Sequence, residues 1–278
     1  MRIRVLGSGT STGVPAVGCE CPVCRSRAPE NKRLRSSILV ERAGRGILVD
    51  CSTDFRQQAL LYGLDRIDAV LMTHDHADHI NGIDDLRPLC AASDRPVPVY
   101  GDETVLETFR RRFRYCFHPP QTGGGVPNLD LRPIEPAVPF LVDGLEVVPA
   151  PVKHGVLDIL GFRLGPDLAY LTDCSAVPDS SLALLRGVKV LIVDALRPKP
   201  HPTHFGLGQA LEFSRRLRPE QTWFTHISCR LEHFAANASL PSDAQLLHDG
   251  QVIEIADGAD ERVETASPLG PPGEGNAR

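Results

Sequence analysis

Five apolar runs in this chain each carry a histidine or an aspartate at the C-terminal end. GILVD closes on Asp50, AVLMTH on His74, LAYLTD on Asp173 and TWFTH on His226, and KVLIVDA holds Asp194 one place from its end. Short runs rich in Val, Ile and Leu predict β-strands with little exposed face. Loops just beyond strand ends are where α/β architectures assemble their sites. One such ending is easily chance, but five point to a single shared edge. That pattern restricts the chain to layered sheets whose strands deliver polar groups to one side.

Further β-type runs are RIRVL (2–6), VPVY (97–100), LEVVPA (145–150) and QVIEIAD (251–257). Helical segments are predicted over 54–63, with Asp54 as cap and Gly63 as stop, and over 102–115. Two more follow over 179–186 after Pro178 and 206–217 before Pro219. Strands outnumber helices and the helices are interspersed, which argues for sheets covered by helices. At 278 residues the chain can bury a full core, here read as one domain over 1–262. The Gly/Pro-rich end, 263–278, reads as a disordered tail.

Composition excludes some classes. The chain is 42% hydrophobic and 23% charged with net charge −5, so no generic polyanion-binding surface is indicated and nucleic acid is not an expected partner. No apolar run approaches the ~20 residues of a membrane span. The start, MRIRVLGSGT, reads as a strand and a glycine turn without a signal-peptide core, which makes the cytoplasm the expected location. Thiols stay reduced there, so clustered cysteines bind metal more often than they form disulfides.

Residues 73–79 read THDHADH, placing His74, Asp75, His76, Asp78 and His79 within six positions. Imidazole and carboxylate are the ligands that hold Zn, Mn or Fe. The segment resembles the HxHxDH signature of the metallo-β-lactamase-fold hydrolases. That resemblance implies an αβ/βα sandwich, two mixed β-sheets flanked by helices. It also implies a dinuclear centre with His74, His76 and His154 on one cation and Asp78, His79 and His226 on the other. Asp173 would lie between them. The cations would be Mn or Zn, holding between them a hydroxide that attacks phosphorus. Asp75 is outside the ligand positions, and either orients a ligand histidine or only makes the turn.

Three more stretches, GSGTSTGVPAVGCECPVC, HINGIDDLRPL and HPTHFGLGQAL, are similar to the phosphodiesterase branch that includes phosphoribosyl 1,2-cyclic phosphate phosphodiesterase. The likeness runs from about residue 3 to residue 257. It implies a substrate that is a small cyclic phosphate, phosphoribosyl cyclic phosphate or a 2′,3′-cyclic nucleotide. His204 in THFG would protonate the leaving oxygen, with Asp78 as the other catalytic group and His201 as competitor or substrate contact. Asp194 either holds one of these rings or merely ends a strand. Ser8 and Thr10, in the loop GSGTSTGVP, are candidate phosphate contacts, although the loop reads equally as a tight turn without Walker A spacing. Arg87 reads as the partner of Asp84 or Asp85, and RRRFR (110–114) as a solvated helix face. The rivals are a tRNA 3′-processing ribonuclease, for which no basic Gly-rich arm is visible, and a pyrroloquinoline quinone biosynthesis B-type protein without hydrolysis. A homodimer and a small phosphorylated substrate are the expected partners; a membrane is not.

GCECPVC (18–24) gathers Cys19, Cys21 and Cys24 of eight cysteines in all. Structural zinc takes four ligands. The family resemblance implies a fourth ligand three residues past the last catalytic histidine, a His in the family and Cys229 here. The expected structural zinc site is therefore an all-thiolate tetrahedron, and Cys51, Cys90, Cys116 and Cys174 read as core residues.

Overall fold

A computed structural model of the protein describes residues 1–93, 95–119 and 125–256; the expected tail and the last positions of the expected domain lie outside the described residues. Among the described residues fourteen strands form two seven-stranded sheets. The first has the order β14 (Val252–Glu254), β1 (Arg2–Gly7), β2 (Ser37–Arg42), β3 (Arg45–Val49), β4 (Ala69–Leu71), β5 (Val97–Gly101), β6 (Leu129–Pro133). The second runs β13 (Ala244–Leu246), β12 (Gln221–Thr225), β11 (Val190–Asp194), β10 (Leu168–Leu171), β9 (Leu157–Leu164), β8 (Leu145–His154), β7 (Phe140–Val142). Each sheet is mixed: β3 through β6 are parallel in the first, and β10 through β13 in the second.

The two-residue period of the strands builds the layers. Ile38 and Val40 of β2, with Ile47 and Val49 of β3, face Phe162, Tyr170 and Ile192 of the other sheet. Leu39 and Leu48 point the other way, onto Phe55, Ile83 and Phe109 of the helical layer. In the second sheet Leu191, Val193 and Phe224 meet Leu182, Phe213 and Leu217 of the helices Asp179–Leu185 and Leu207–Leu217. Strands buried on both faces must read as near-continuous apolar runs, which is what makes them legible.

The expected helices are present with adjusted ends. Gly63 closes Phe55–Tyr62 in the left-handed conformation at φ 63°, as a C-terminal glycine should. Asp54 does not cap that helix; its carboxylate takes the backbone N–H of Arg35 at 2.8 Å and the Arg35 guanidinium at 2.7 Å. The predicted 102–115 helix breaks at Phe113 into Glu103–Arg112 and Arg114–Phe117, with Asp102 capping the Val105 N–H at 2.8 Å.

Parallel strands of each sheet end on the same side, and there the two sheets join. The Leu160 N–H donates to the Thr73 carbonyl at 3.0 Å, and the Ile227 N–H to the Ser8 carbonyl at 2.9 Å. All five strand-end residues of the sequence pattern emerge along this seam.

Candidate metal centre

Asp50, Asp173 and His226 all leave their strands in the left-handed region, at φ 61°, 55° and 58°. Residues with side chains avoid that conformation unless their surroundings enforce it. Here a fixed hydrogen-bond frame holds them. The fully buried Asp50 carboxylate accepts the Thr73 N–H at 2.9 Å, the Thr73 hydroxyl at 2.8 Å and His79 Nδ1 at 2.7 Å. The Thr73 hydroxyl, having given its proton to Asp50, accepts from His74 Nδ1 at 2.9 Å. The Thr203 carbonyl accepts from His154 Nδ1 at 2.7 Å.

These contacts fix tautomers. His74, His79 and His154 each carry the proton on Nδ1, so each presents an Nε2 lone pair. His74 Nε2, His79 Nε2 and His226 Nε2 are buried and have no hydrogen-bond partner. His79 Nε2 nevertheless lies 3.2 Å from both Asp78 and Asp173, and His226 Nε2 lies 3.2 Å from Asp173. Lone pairs facing carboxylates at these distances repel unless a proton or a cation lies between them. Two donor sets result, His74, His76 and His154 in one and Asp78, His79, Asp173 and His226 in the other, each with ligand atoms within 4.8 Å. The donors suit divalent cations of the Zn or Mn type.

The electrostatics agree with that chemistry. Burial pushes His74 well below the ordinary histidine range, favouring the neutral ligand form. Burial opposes charge on Asp173 and Asp78 too, yet the neighbouring imidazoles, His226 and His79 foremost, hold both carboxyls well below the usual range. Burial acts to lower His79, but Asp173, Asp50 and Asp78 outweigh it and raise the ring, so in the absence of a cation a proton takes the Nε2 position that faces these carboxylates.

His204 adjoins both sets. Its side chain is 11% exposed and its Nδ1 lies 2.9 Å from Asp194. The ring stacks on His226 at 4.8 Å and meets His154 at 4.7 Å. Burial, then the charge on His226, pushes His204 down to about 4. His201 stands further out, 5.3 Å from His204, its Nδ1 taking the Thr203 hydroxyl at 3.2 Å.

The two candidate phosphate contacts of the N-terminal loop are buried, whereas Arg87 and the four cysteines lie where the sequence places them. Ser8 is fully buried, and its N–H and hydroxyl both donate to Asp249, at 2.8 and 2.7 Å, so it braces the wall and does not face a substrate. Thr10 is nearly buried and gives its N–H to the Ile227 carbonyl at 3.2 Å. Arg87 stands 4.0 Å from Asp84 and donates to the Gly125 carbonyl at 3.0 Å. Asp75 offers its backbone carbonyl to Arg112 at 2.6 Å. The four cysteines Cys19, Cys21, Cys24 and Cys229 come together with sulfur atoms within 4.8 Å. The Cys24 N–H on Cys21 is the main cause that lowers that thiol to about 7, whereas burial raises Cys229 to about 12. Asp50, Thr73 and Thr203, which orient the ligand histidines, belong to no metal-ligand motif, and of the three only Asp50 is marked in the sequence, by its place at the end of GILVD.

Sheet order, strand-end histidines and paired donor sets together define a metallo-β-lactamase-fold protein with a metal-binding edge. The chain belongs to the β-lactamase superfamily, whose domain profile matches residues 45–227. Among solved structures it is similar to a diphosphatase from the PhnP family, with 41% identity and TM-score 0.85 over 92% of this chain and 98% of that one. A Porphyromonas gingivalis protein named octanoyltransferase is 43% identical over 230 residues, 82% of this chain, but the chain spans only 46% of that relative. Coenzyme PQQ synthesis protein B of Methylobacterium radiotolerans is 29% identical over 221 residues, 70% of this chain and 72% of the relative. Among the described residues no helix is long and apolar enough to cross a membrane.

Proposed function

We propose that this protein is a dinuclear metal-dependent phosphodiesterase acting on a small cyclic phosphate. The reading is carried by two adjoining donor sets that meet at Asp173, with His204 held by Asp194 beside them. His74, His76 and His154 would hold one cation, and Asp78, His79 and His226 the other. When bound, the pair supplies charge neutralisation at the phosphate and water activated near neutral pH.

The chain's own residues do the rest. Asp50, Thr73 and Thr203 keep the ligand nitrogens aimed inward, as hydrogen-bond partners of metal-binding histidines do. Asp194 engages His204 Nδ1, leaving Nε2 for the substrate. In hydrolysis one P–O bond forms to water and one breaks, and the departing oxygen needs a proton. An imidazole at about 4 is neutral in the free protein at pH 7, so His204 acquires that proton only beside an anionic phosphate, which favours its charged form. Asp194 holds the ring in this orientation through Nδ1, while burial raises its own carboxyl well above the ordinary range.

The PhnP-family neighbour's description as a diphosphatase supports a second reading, in which the scissile bond is a phosphoanhydride. The octanoyltransferase name belongs to a relative of which this chain spans 46%, and the thiols beside the edge are poorly placed for acyl transfer. Cys51 and Cys174, next to Asp50 and Asp173, are fully buried, and burial raises both thiols well above their ordinary range. The test is turnover of metal-loaded protein on bis-p-nitrophenyl phosphate, 2′,3′-cyclic nucleotides and a linear diphosphate diester. Activity on the cyclic diesters with none on the anhydride is the expected result. The reverse selects the diphosphatase reading, and inactivity on all three overturns both. His204→Ala should lower turnover about 10²–10⁴-fold, the range of general acid catalysis, with metal content unchanged.

A further inference from the structure

We infer that Arg33 is the charge-balancing cation of the cysteine clip, the residue that makes a fourth thiolate tolerable at Cys229. The inference rests on the reading of the four cysteines as a metal site. Among the described residues Arg33 is the one lysine or arginine that is buried, at 2% exposure. A buried guanidinium stays in a fold when negative charge nearby offsets its lost hydration.

Its position relative to the clip is direct. The Arg33 backbone pairs with Val14 in both directions, at 2.7 and 2.8 Å, and Val14 packs against Cys19, Cys21, Cys24 and Cys229. One guanidinium nitrogen donates to the carbonyl of Ser228, the residue before Cys229, at 3.2 Å, and the other to Asn31 at 3.3 Å. Nε has no hydrogen-bond partner. The neighbouring Lys32 ammonium donates to the Cys24 carbonyl at 3.0 Å, which adds a second cation on the same side.

The nearby carboxylates are committed elsewhere. Asp249 takes both donors of Ser8 and the Leu34 N–H, and Glu232 takes Asn31 at 2.6 Å and the Ala235 N–H at 2.7 Å. Neither forms a hydrogen bond with Arg33, although their charges, Asp249 first and Glu232 next, act on the guanidinium ahead of those of Cys229 and Cys24. Four thiolates around one divalent cation leave two net negative charges, whereas three thiolates and a neutral imidazole leave one. A buried guanidinium bonded to the chain beside Cys229 answers the larger of these charges.

The experiment is a double-mutant cycle on the full-length protein. Zinc affinity of the clip is measured by chelator competition, and Co²⁺ substitution reports thiolate ligation by its sulfur-to-metal charge-transfer band. Arg33→Gln should weaken zinc on the order of tenfold or more, the size of one charge interaction at the effective dielectric of a protein. Arg33→Lys should keep most of the affinity. In a Cys229→His background the Arg33→Gln loss should shrink to about threefold or less, since the site has shed one charge. Equal losses in the two backgrounds, or equal losses for Arg33→Gln and Arg33→Lys, would make Arg33 a packing and hydrogen-bonding residue and overturn the proposal. Absence of the charge-transfer band in the unaltered protein would sink the clip reading, and this inference with it.

Discussion

The edge cluster draws its seven donors from both sheets, while the cysteine clip draws three of its four sulfur atoms from one short turn. At the edge, the second nitrogens of His74, His79 and His154 are tied to Thr73, Asp50 and Thr203. Three residues there sit in disfavoured backbone conformations. At the clip the sulfur atoms lie around a short helix, Pro22–Arg25, and the support comes from the apolar side chains of Val14 and Val23 and from the buried Arg33 bonded to the chain beside Cys229. On the proposed reading, the oriented and strained edge is the reactive site, and the four like ligands that close on one another are a staple. Both include a residue of the segment 226–229, so a metal bound at the clip would set the path of the loop that carries His226.

The sharpest way to break this contrast is at Asp173, which contributes to the second donor set and lies 3.2 Å from both His79 and His226. Asp173→Asn should lower phosphodiester turnover on the order of 10³-fold, comparable to losing a major electrostatic stabiliser, and release metal from the edge while the clip keeps its ion. Asp50→Asn should cost less, about 10–100-fold in edge-metal affinity or turnover, the usual effect of removing a ligand's hydrogen-bond partner. Isothermal titration with the metal separates the two variants. Cys229→Ala inverts the order: clip metal and about 3 kcal/mol or more of stability go first, with turnover falling only as His226 loses its support. If turnover falls as far as in Asp173→Asn while stability holds, the clip takes part in the chemistry.

A smaller effect concerns Asp249, which braces the loop of Ser8. Burial raises its carboxyl to about 7, against an ordinary value near 3.9. The folded chain then keeps a proton that the unfolded chain has released. Stability from this group is therefore complete below about pH 4 and is lost as pH rises through about 7. Asp249→Asn should flatten the decline in denaturation midpoint between pH 5 and 8. An unchanged slope would show that another group titrates there.

Much of this was legible in the sequence because the strands are buried on both faces and read as unbroken apolar runs. The strands that escaped notice have physical reasons. β2, SILVER, ends in Glu41 and Arg42, whose charge masks the run, and Glu41 is spent on Arg2 at 2.9 Å. β9, LDILGFRL, contains Gly161, where a Cβ would stand 2.2 Å from a Leu171 methyl and 3.0 Å from the Tyr170 carbonyl; the glycine that blurs the pattern is what lets the strands approach. Side-chain partners were hardest to see. Ser8 and Asp249 are 241 positions apart, and Arg33 and Ser228 195 positions apart. No local pattern encodes such pairs, so in the sequence Ser8 resembles a phosphate contact and Arg33 carries no mark of its burial.

The most direct test follows metal content and turnover together during dialysis against EDTA. The purified protein should hold about three ions per chain, two in the open edge and one in the closed clip, as expected for catalytic and structural sites. Two should leave with the activity, and return with it when Zn or Mn is restored. The third should stay until the thiols are modified, and its loss should register first as a lower unfolding temperature. Activity that survives removal of the two ions, or three ions that leave in one step with unfolding, would contradict the division between a reactive edge and a structural staple.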